Sequence, residues 1–272
     1  MFAHDFVRHA WLAGTGIGLC CGALGWFAVL RGQLFAGDAL SHVAFVGAIG
    51  AALVPIDVRL GLFALTVAVA FGMAGLGRRA QAGDEVVGLV FAWILGLGLL
   101  LLTLLARSSA GGTGVAAANA LFGSIYSLSA GAAASAAAVG FGLVAGLAMV
   151  LRPLLLASLD PELAIARGIP VRGLGVAFLL AIGLITADGT PSIGALLVLG
   201  LLAAPAGAAH KLAAGPRRGV ALSAALAVLA VWGGLTVSYL LPAVPPSSAI
   251  IALAAGAYAA ASARERWRGR AA

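Results

Sequence analysis

Residues 86–106 read VVGLVFAWILGLGLLLLTLLA, twenty-one positions with no charge and a single hydroxyl. About 20 mostly apolar residues make a helix long enough to cross the hydrocarbon of a bilayer, where the backbone has only itself to bond to. This run predicts a membrane-spanning helix. Asp84 and Glu85 precede it and Arg107 follows it, so charge returns as soon as the apolar stretch ends.

Eight further runs have the same character: Trp11–Leu30, Leu40–Ile56, Leu60–Leu76, Ala130–Leu151, Val171–Ala187, Ile193–Ala209, Val220–Leu240 and Ser248–Ala261. With Val86–Ala106 they make nine spans. Leu40–Ile56 is short with a polar start, and Ser248–Ala261 is short and built of small side chains, so eight to ten spans bracket the count. Composition agrees: 62% of the 272 residues are apolar, 9% are charged, and mean hydropathy is +1.12. Soluble domains carry about 25% charged residues, so this chain cannot coat a water-facing surface. The 39 glycines follow no three-residue period, which excludes collagen, and ten prolines are too few for a disordered linker. The expectation is an all-α polytopic membrane protein with one transmembrane domain over residues 1–272. His4, Asp5, Arg8 and His9 run straight into the first span, unlike a cleavable leader. Cys20 and Cys21 are adjacent within that span and are read as helix packing.

Sixteen Lys and Arg stand against nine Asp and Glu, a formal charge of +7. The cations fall in small groups between apolar runs and gather on no single face, so no nucleic-acid partner is expected. They do fix an orientation. With the 151–171 loop in the cytoplasm, that side receives Arg31, Arg78, Arg79, Arg152, Arg167, Arg172, Lys211, Arg217, Arg218, Arg264, Arg266, Arg268 and Arg270. The other side receives Arg8, Arg59 and Arg107. Thirteen against three is the bias that short loops use to set topology. It places the N-terminus outside and the C-terminus inside.

Ionisable residues at membrane depth are costly and are kept where they have work to do. Asp38 and His42 are four apart, so a helix puts them on one face. Carboxylate oxygen and imidazole nitrogen together suit Zn²⁺ or Mn²⁺. The same two residues also suit an N-cap for the second span and a histidine packed in the bundle. Asp188-Gly189-Thr190-Pro191 breaks an apolar run and predicts an outer-side turn with a solvated carboxylate; a carboxylate lining a pathway is the other role open to it. Pro205 is expected to kink its span, and His210-Lys211 to close that span at the cytoplasmic face.

The 159–170 stretch LDPELAIARGIP predicts a short helix between two spans. Asp160 caps it, Pro161 fits its first turn, Glu162 complements its positive end, and Gly168 and Pro170 stop it. Small Ala164 and Ala166 fit either an interfacial spacer or a knob docked in another protein. There is no phosphate-binding glycine loop with its lysine, no serine elbow and no His-Glu-x-x-His, so neither ATP hydrolysis nor hydrolytic chemistry is expected of this chain.

Four landmarks, in order over nearly the whole chain, resemble the ABC-3 family, the membrane permease subunits of bacterial zinc and manganese importers. Gly37-Asp38-Ala39-Leu40-Ser41-His42 resembles its early Asp-x-Leu-x-His segment. Leu121-Phe122-Gly123-Ser124-Ile125 is similar to its Leu-Phe-Gly loop. Asp160-Pro161-Glu162-Leu163-Ala164, ending at Gly168, resembles the ATPase-contacting loop, and Ile193-Gly194-Ala195-Leu196-Leu197-Val198 with Leu201, Leu202 and Pro205 resembles the late Val-Gly-x-Leu-Leu-Val run.

The resemblance implies a type II importer permease fold. It also implies metal handling by Asp38 and His42 and ATPase coupling through Asp160, Pro161, Glu162, Ala164 and Gly168. Zn²⁺ or Mn²⁺ is then the transported substrate, with no cofactor in the chain itself. The implied partners are cytoplasmic ATP-binding subunits, a second permease copy as a homodimer, an extracytoplasmic metal-binding protein and the lipid of the inner membrane. Asp188–Pro191 and His210-Lys211 depart from the family pattern. Permeases for iron-siderophores or cobalamin share the general architecture, but a bulky cargo gives no reason for the Asp38/His42 pair. A secondary transporter would show paired repeats with broken helices, which are not evident. On the expected topology, a reporter fused after Arg268 is active in the cytoplasm and one in the 241–247 proline loop reports the opposite side. Cytoplasmic labelling of that loop overturns the arrangement of the last spans.

Overall fold

A computed structural model describes residues 4–54, 56–77, 83–108 and 123–270. In chain order its helices are α1 (Asp5–Leu30), α2 (Leu34–Leu53), α3 (Val58–Leu76), α4 (Asp84–Ser108), α5 (Ala130–Leu159), α6 (Pro161–Ala166), α7 (Val171–Ile193), α8 (Ala195–Leu212), α9 (Pro216–Leu240) and α10 (Pro246–Arg270). A 3₁₀ turn, Ile125–Ser127, precedes α5. All but α6 are long and apolar enough to cross a membrane, nine among the described residues, as the hydropathy runs predict. Leu121, Phe122, Arg78 and Arg79 lie outside the described residues.

The helices overrun the apolar runs at their ends. α10 continues through the charged residues 264–266, and α9 begins at Pro216 ahead of Arg217 and Arg218. A helix can project from hydrocarbon into water, whereas hydropathy registers only the part inside. The largest correction lies at Asp188–Pro191. No turn forms there: α7 runs through all four residues, and the break falls at Gly194. Gly194 has φ +94°, a region that L side chains rarely adopt, and this permits the chain to change direction into α8. Pro191 costs α7 one hydrogen bond in its last turn, while the Thr190 hydroxyl bonds back to Thr186 and the Ser192 hydroxyl back to Asp188. Pro205 likewise lies inside α8.

The described chain falls into two compact units. The first comprises residues 1–34, 124–149 and 197–272, so it holds α1, most of α5, most of α8, α9 and α10. α1 is its centre. Ala10, Ala13, Ile17, Cys20, Cys21 and Phe27 have no exposed surface, so both cysteines are packing groups as expected. Lipid is as apolar as leucine, so helices here associate by close approach, and small residues allow it. Gly22 lies against the Ala224 backbone of α9, and Gly25 lies against the Leu202 carbonyl of α8, which a β-carbon at Gly25 would overlap. Polar side chains cross-link the same helices. The Ser223 hydroxyl donates to the Gly22 carbonyl (2.6 Å), and Trp232 Nε1 donates to Thr15 Oγ1 (2.9 Å).

The second unit comprises residues 35–123 and 150–196, with nearly all of α2, α3, α4, the end of α5, α6 and α7. α2 is sandwiched. Val43 and Val46 pack on Ile94 of α4, while Ala44 packs with Leu62 of α3 and Ala187 of α7. Gly47 and Gly61 bring the backbones of α2 and α3 together. α4 turns Leu89, Trp93, Leu99 and Leu100 outward, each more than half exposed, as a lipid-facing helix should.

These contacts predict opposite outcomes for one substitution at two glycines. Gly25→Ala forces α1 from α8 and should cost about 1–3 kcal/mol. Gly72→Ala in α3 meets open space and should be neutral or stabilise by roughly 0.5–1 kcal/mol. Thermal unfolding in detergent tests both, and equal shifts would contradict the packing described.

Candidate functional site

Asp38 and His42 both lie within α2, whose first residue is Leu34. Asp38 is therefore not an N-cap, because the helix begins six residues earlier than the apolar run suggests. The Ser41 hydroxyl, the polar start of that run, donates to the Asp38 carbonyl (2.7 Å) and does not compete with the helix. The Asp38 and His42 side chains meet on one face as the spacing predicts. His42 Nε2 is 3.9 Å from Asp38 Oδ1, and their side chains are 17% and 19% exposed. At 3.9 Å they are neighbours without a hydrogen bond.

Phe91 of α4 packs edge-on to the imidazole, with centroids 5.2 Å apart and planes at 88°, a favourable aromatic geometry that orients the ring. Nothing in the sequence marks Phe91 out from the other apolar residues of α4. Among the described residues no third His, Cys, Asp or Glu completes a metal cluster with this pair. One oxygen and one nitrogen are too few for a closed structural site. They are enough to hold an ion that must leave again.

α6 forms as its sequence dictates. The Asp160 carboxylate accepts from the Leu163 N–H (2.9 Å), Pro161 opens the helix, and Gly168 ends it at φ +74°. The helix places its residues unequally. Ala164 is fully buried against Ala157 of α5 and Val171 of α7, so its small size serves the chain's own packing. Glu162, Leu163, Ile165, Ala166 and Arg167 are exposed, with Leu163 at 40% and Ile165 at 55%. A side chain at Gly168 would meet open space, so substitution there strains the backbone and adds no clash.

His210 is a packing residue. Its ring stacks on Trp26 (4.7 Å between centroids, 9° between planes), and Nε2 lies 3.0 Å from the Trp26 carbonyl. Lys211 pairs with Glu265 of α10 at 2.5 Å. Just beyond α1, burial lowers Arg31 to a pKa of about 10, and its Nε donates to Gln33 Oε1 (3.0 Å). The loop landmark is described from Gly123 onward, where the Gly123 backbone packs against Ile193 and Gly194 at the α7–α8 break. Two landmarks far apart in sequence therefore meet at one point of the second unit.

Residues 3–265 match the model of the ABC 3 transport family. The manganese transport system membrane protein MntC of Halalkalibacterium halodurans is 30% identical over 216 residues, 78% of this chain and 71% of that protein. The high-affinity zinc uptake system membrane protein ZnuB of Haemophilus influenzae is 27% identical, covering 84% of this chain and 86% of that one. In structure, PsaBC from Streptococcus pneumoniae in complex with Fab superposes with a TM-score of 0.81 over 95% of this chain and 91% of that one, at 23% identity. An inward-facing putative metal-chelate type ABC transporter superposes with a TM-score of 0.70, at 16% identity. These likenesses make the fold that of a type II ABC importer permease, all-α and multi-pass in the inner membrane. The family match spans nearly the whole sequence and the shared fold spans nearly the whole structure: the chain belongs to the ABC 3 transport family.

Proposed function

We propose that the chain is the permease of an ATP-driven importer of divalent metal ions, zinc or manganese, and that residues 1–272 act as one permease domain. The observation that carries this is the Asp38/His42 pair, an oxygen and a nitrogen donor side by side and mostly buried in a membrane-spanning helix. A bulky organic cargo would have no use for it. Relatives named for manganese and for zinc support the cargo class. Imidazole with carboxylate accepts either ion, so choice between them falls to delivery and availability.

An extracytoplasmic metal-binding protein delivers the ion, a second copy of this chain completes the path, and cytoplasmic ATP-binding subunits supply the energy. Their closure on ATP moves α6 and with it the side from which the path opens. Asp160, Pro161 and Glu162 shape the coupling helix, Gly168 ends it, and Ala164 fastens it to α5 and α7. Its exposed face meets the ATPase. Leu163→Asp with Ile165→Asp should therefore abolish co-purification of the ATP-binding subunits while the permease stays folded and inserted. Ala164→Phe should lower the melting temperature of the permease itself, since it overpacks a buried site. Normal ATPase binding and uptake in the double variant would make α6 a spacer.

For the metal pair, His42→Ala should cut initial uptake by roughly tenfold, and Asp38→Asn by more. The second change removes the charge that offsets the ion where solvent is scarce. The measurement is initial-rate Zn²⁺ and Mn²⁺ uptake by the reconstituted importer at equal permease density. Unchanged rates in both single variants and the double would reduce the pair to packing residues.

A further inference from the structure

Beyond the Asp38/His42 pair, the second unit holds one more carboxylate at membrane depth, and its surroundings are those of a ligand. Asp188 lies five residues before the end of α7, inside a span and not in a loop. Its Oδ2 is buried and has no hydrogen-bond partner among the described residues. A carboxylate oxygen removed from water without a donor is expensive. Two neighbouring positions add further oxygen rather than donors. Pro191 has no N–H to give the Ala187 carbonyl, so the main-chain oxygen just before Asp188 loses its regular helical donor. Ser192, one turn on and 3% exposed, spends its hydroxyl proton on the Asp188 carbonyl at 3.1 Å and is left with acceptor lone pairs.

Carboxylate, carbonyl and hydroxyl oxygens thus crowd one turn of a helix whose hydrogen bonding a proline has interrupted. Oxygen ligands of these kinds suit hard divalent cations, and interrupted membrane helices are where such oxygens are exposed to an ion. Arg59, at the start of α3, acts electrostatically on the Asp188 carboxylate. It supplies a counter-charge that a cation can replace.

The position relative to α2 follows from packing. Gly183 faces Ala70 and Thr66 of α3, with the tip of Leu40 of α2 next nearest. Ala187 clusters with Leu62 of α3 and Ala44 of α2, so α7 lies beside α2 with Ala187 near the level of Ala44. Asp188 is then level with Phe45, three residues beyond His42 and seven beyond Asp38. At the helical rise this is about 4.5 Å and about 10 Å along the axis. The three side chains are in axial order yet do not form one coordination sphere, in keeping with the absence of a three-ligand cluster among the described residues.

We propose that Asp188, with the Ala187 carbonyl and the Ser192 hydroxyl, forms a second, oxygen-only station for the divalent cation, visited in sequence with the Asp38/His42 station. This rests on the proposed function. In the expected orientation it is the outer of the two stations, reached first by an imported ion. Successive weak sites let an ion enter and still leave. Without a nitrogen donor the advantage of Zn²⁺ over Mn²⁺ is smaller than at the Asp38/His42 station, so loss of this station falls harder on manganese.

The test uses the complete importer in vesicles, measuring initial uptake against free Mn²⁺ and Zn²⁺. Asp188→Asn should raise the half-saturating Mn²⁺ concentration roughly tenfold, with a smaller change for Zn²⁺. Asp188→Glu should restore most of it. If Asp188→Asn keeps the wild-type half-saturation, or if Arg59→Gln rescues its defect, Asp188 is a structural ion-pair partner and the station is wrong. A wild-type importer that moves neither ion overturns the proposed function instead, and the station with it. Equilibrium Mn²⁺ binding provides a readout independent of turnover. The permease carrying Asp38→Asn and His42→Ala should still bind Mn²⁺, and adding Asp188→Asn or Ser192→Ala should weaken it. Loss of all binding on removal of the Asp38/His42 pair alone overturns the station.

Discussion

Hydrocarbon gives apolar helices no reason to associate, and everything in this molecule follows from how that is overcome. Water drives leucine together in a soluble core; lipid does not. What remains is dispersion at short range, and it is large only where backbones touch. The glycines of α1 achieve this against α9 and α8, and Gly47 with Gly61 achieves it between α2 and α3. Alanine and glycine richness is thus the means by which the backbones of each unit approach, while α4 packs on α2 through Ile94 and turns Leu89, Trp93, Leu99 and Leu100 outward.

The second constraint concerns polar atoms. Thr15, Thr66 and Thr190 each return a hydroxyl proton to the carbonyl four residues earlier, so these hydroxyls are settled within their own helices. Against that background the unsettled groups stand apart. Asp38 and His42 approach without a hydrogen bond, and Asp188 keeps an oxygen buried without a donor. Retaining such groups in a membrane is costly for stability.

The nine spans were legible because a helix in hydrocarbon must be apolar over a fixed length, a rule with few exceptions. Helix ends were not, since nothing apolar marks where a helix leaves lipid; α10 runs on through Arg264 and Arg266. Gly189 and Pro191 predict a turn by residue type, yet Val171–Ala187 is only seventeen residues, short of the roughly 20 a span requires. Extending it to Ile193 supplies the missing length and carries Asp188 into the membrane. The same shortfall applied to Leu40–Ile56, where the helix grows backward to Leu34 and draws Asp38 inside. The Asp38/His42 face was readable from spacing alone. Phe91 was not, because its role exists only once α2 and α4 are packed.

The proposed coupling of α6 to Asp38 and His42 depends on which contacts within the second unit are rigid. α6 is short and would be a loose appendage if only its termini held it. Ala164, buried between Ala157 and Val171, fixes it to the first turn of α7. α7 in turn packs on α3 through Ala70, Thr66 and Leu62, and reaches α2 at the tip of Leu40 and at Ala44. Those two positions on α2 bracket His42. Gly183 and Ala187 keep α7 close to its neighbours at these contacts, and packed interiors transmit strain because they compress little. A displacement of α6 is passed through Ala164 to α7, the helix that carries Asp188 and packs beside α2. A continuous series of contacts becomes coupling when an element along it has two arrangements. α7 has the features for that role, since it is anchored to α6 at one end and released at the other by Pro191 and the left-handed Gly194.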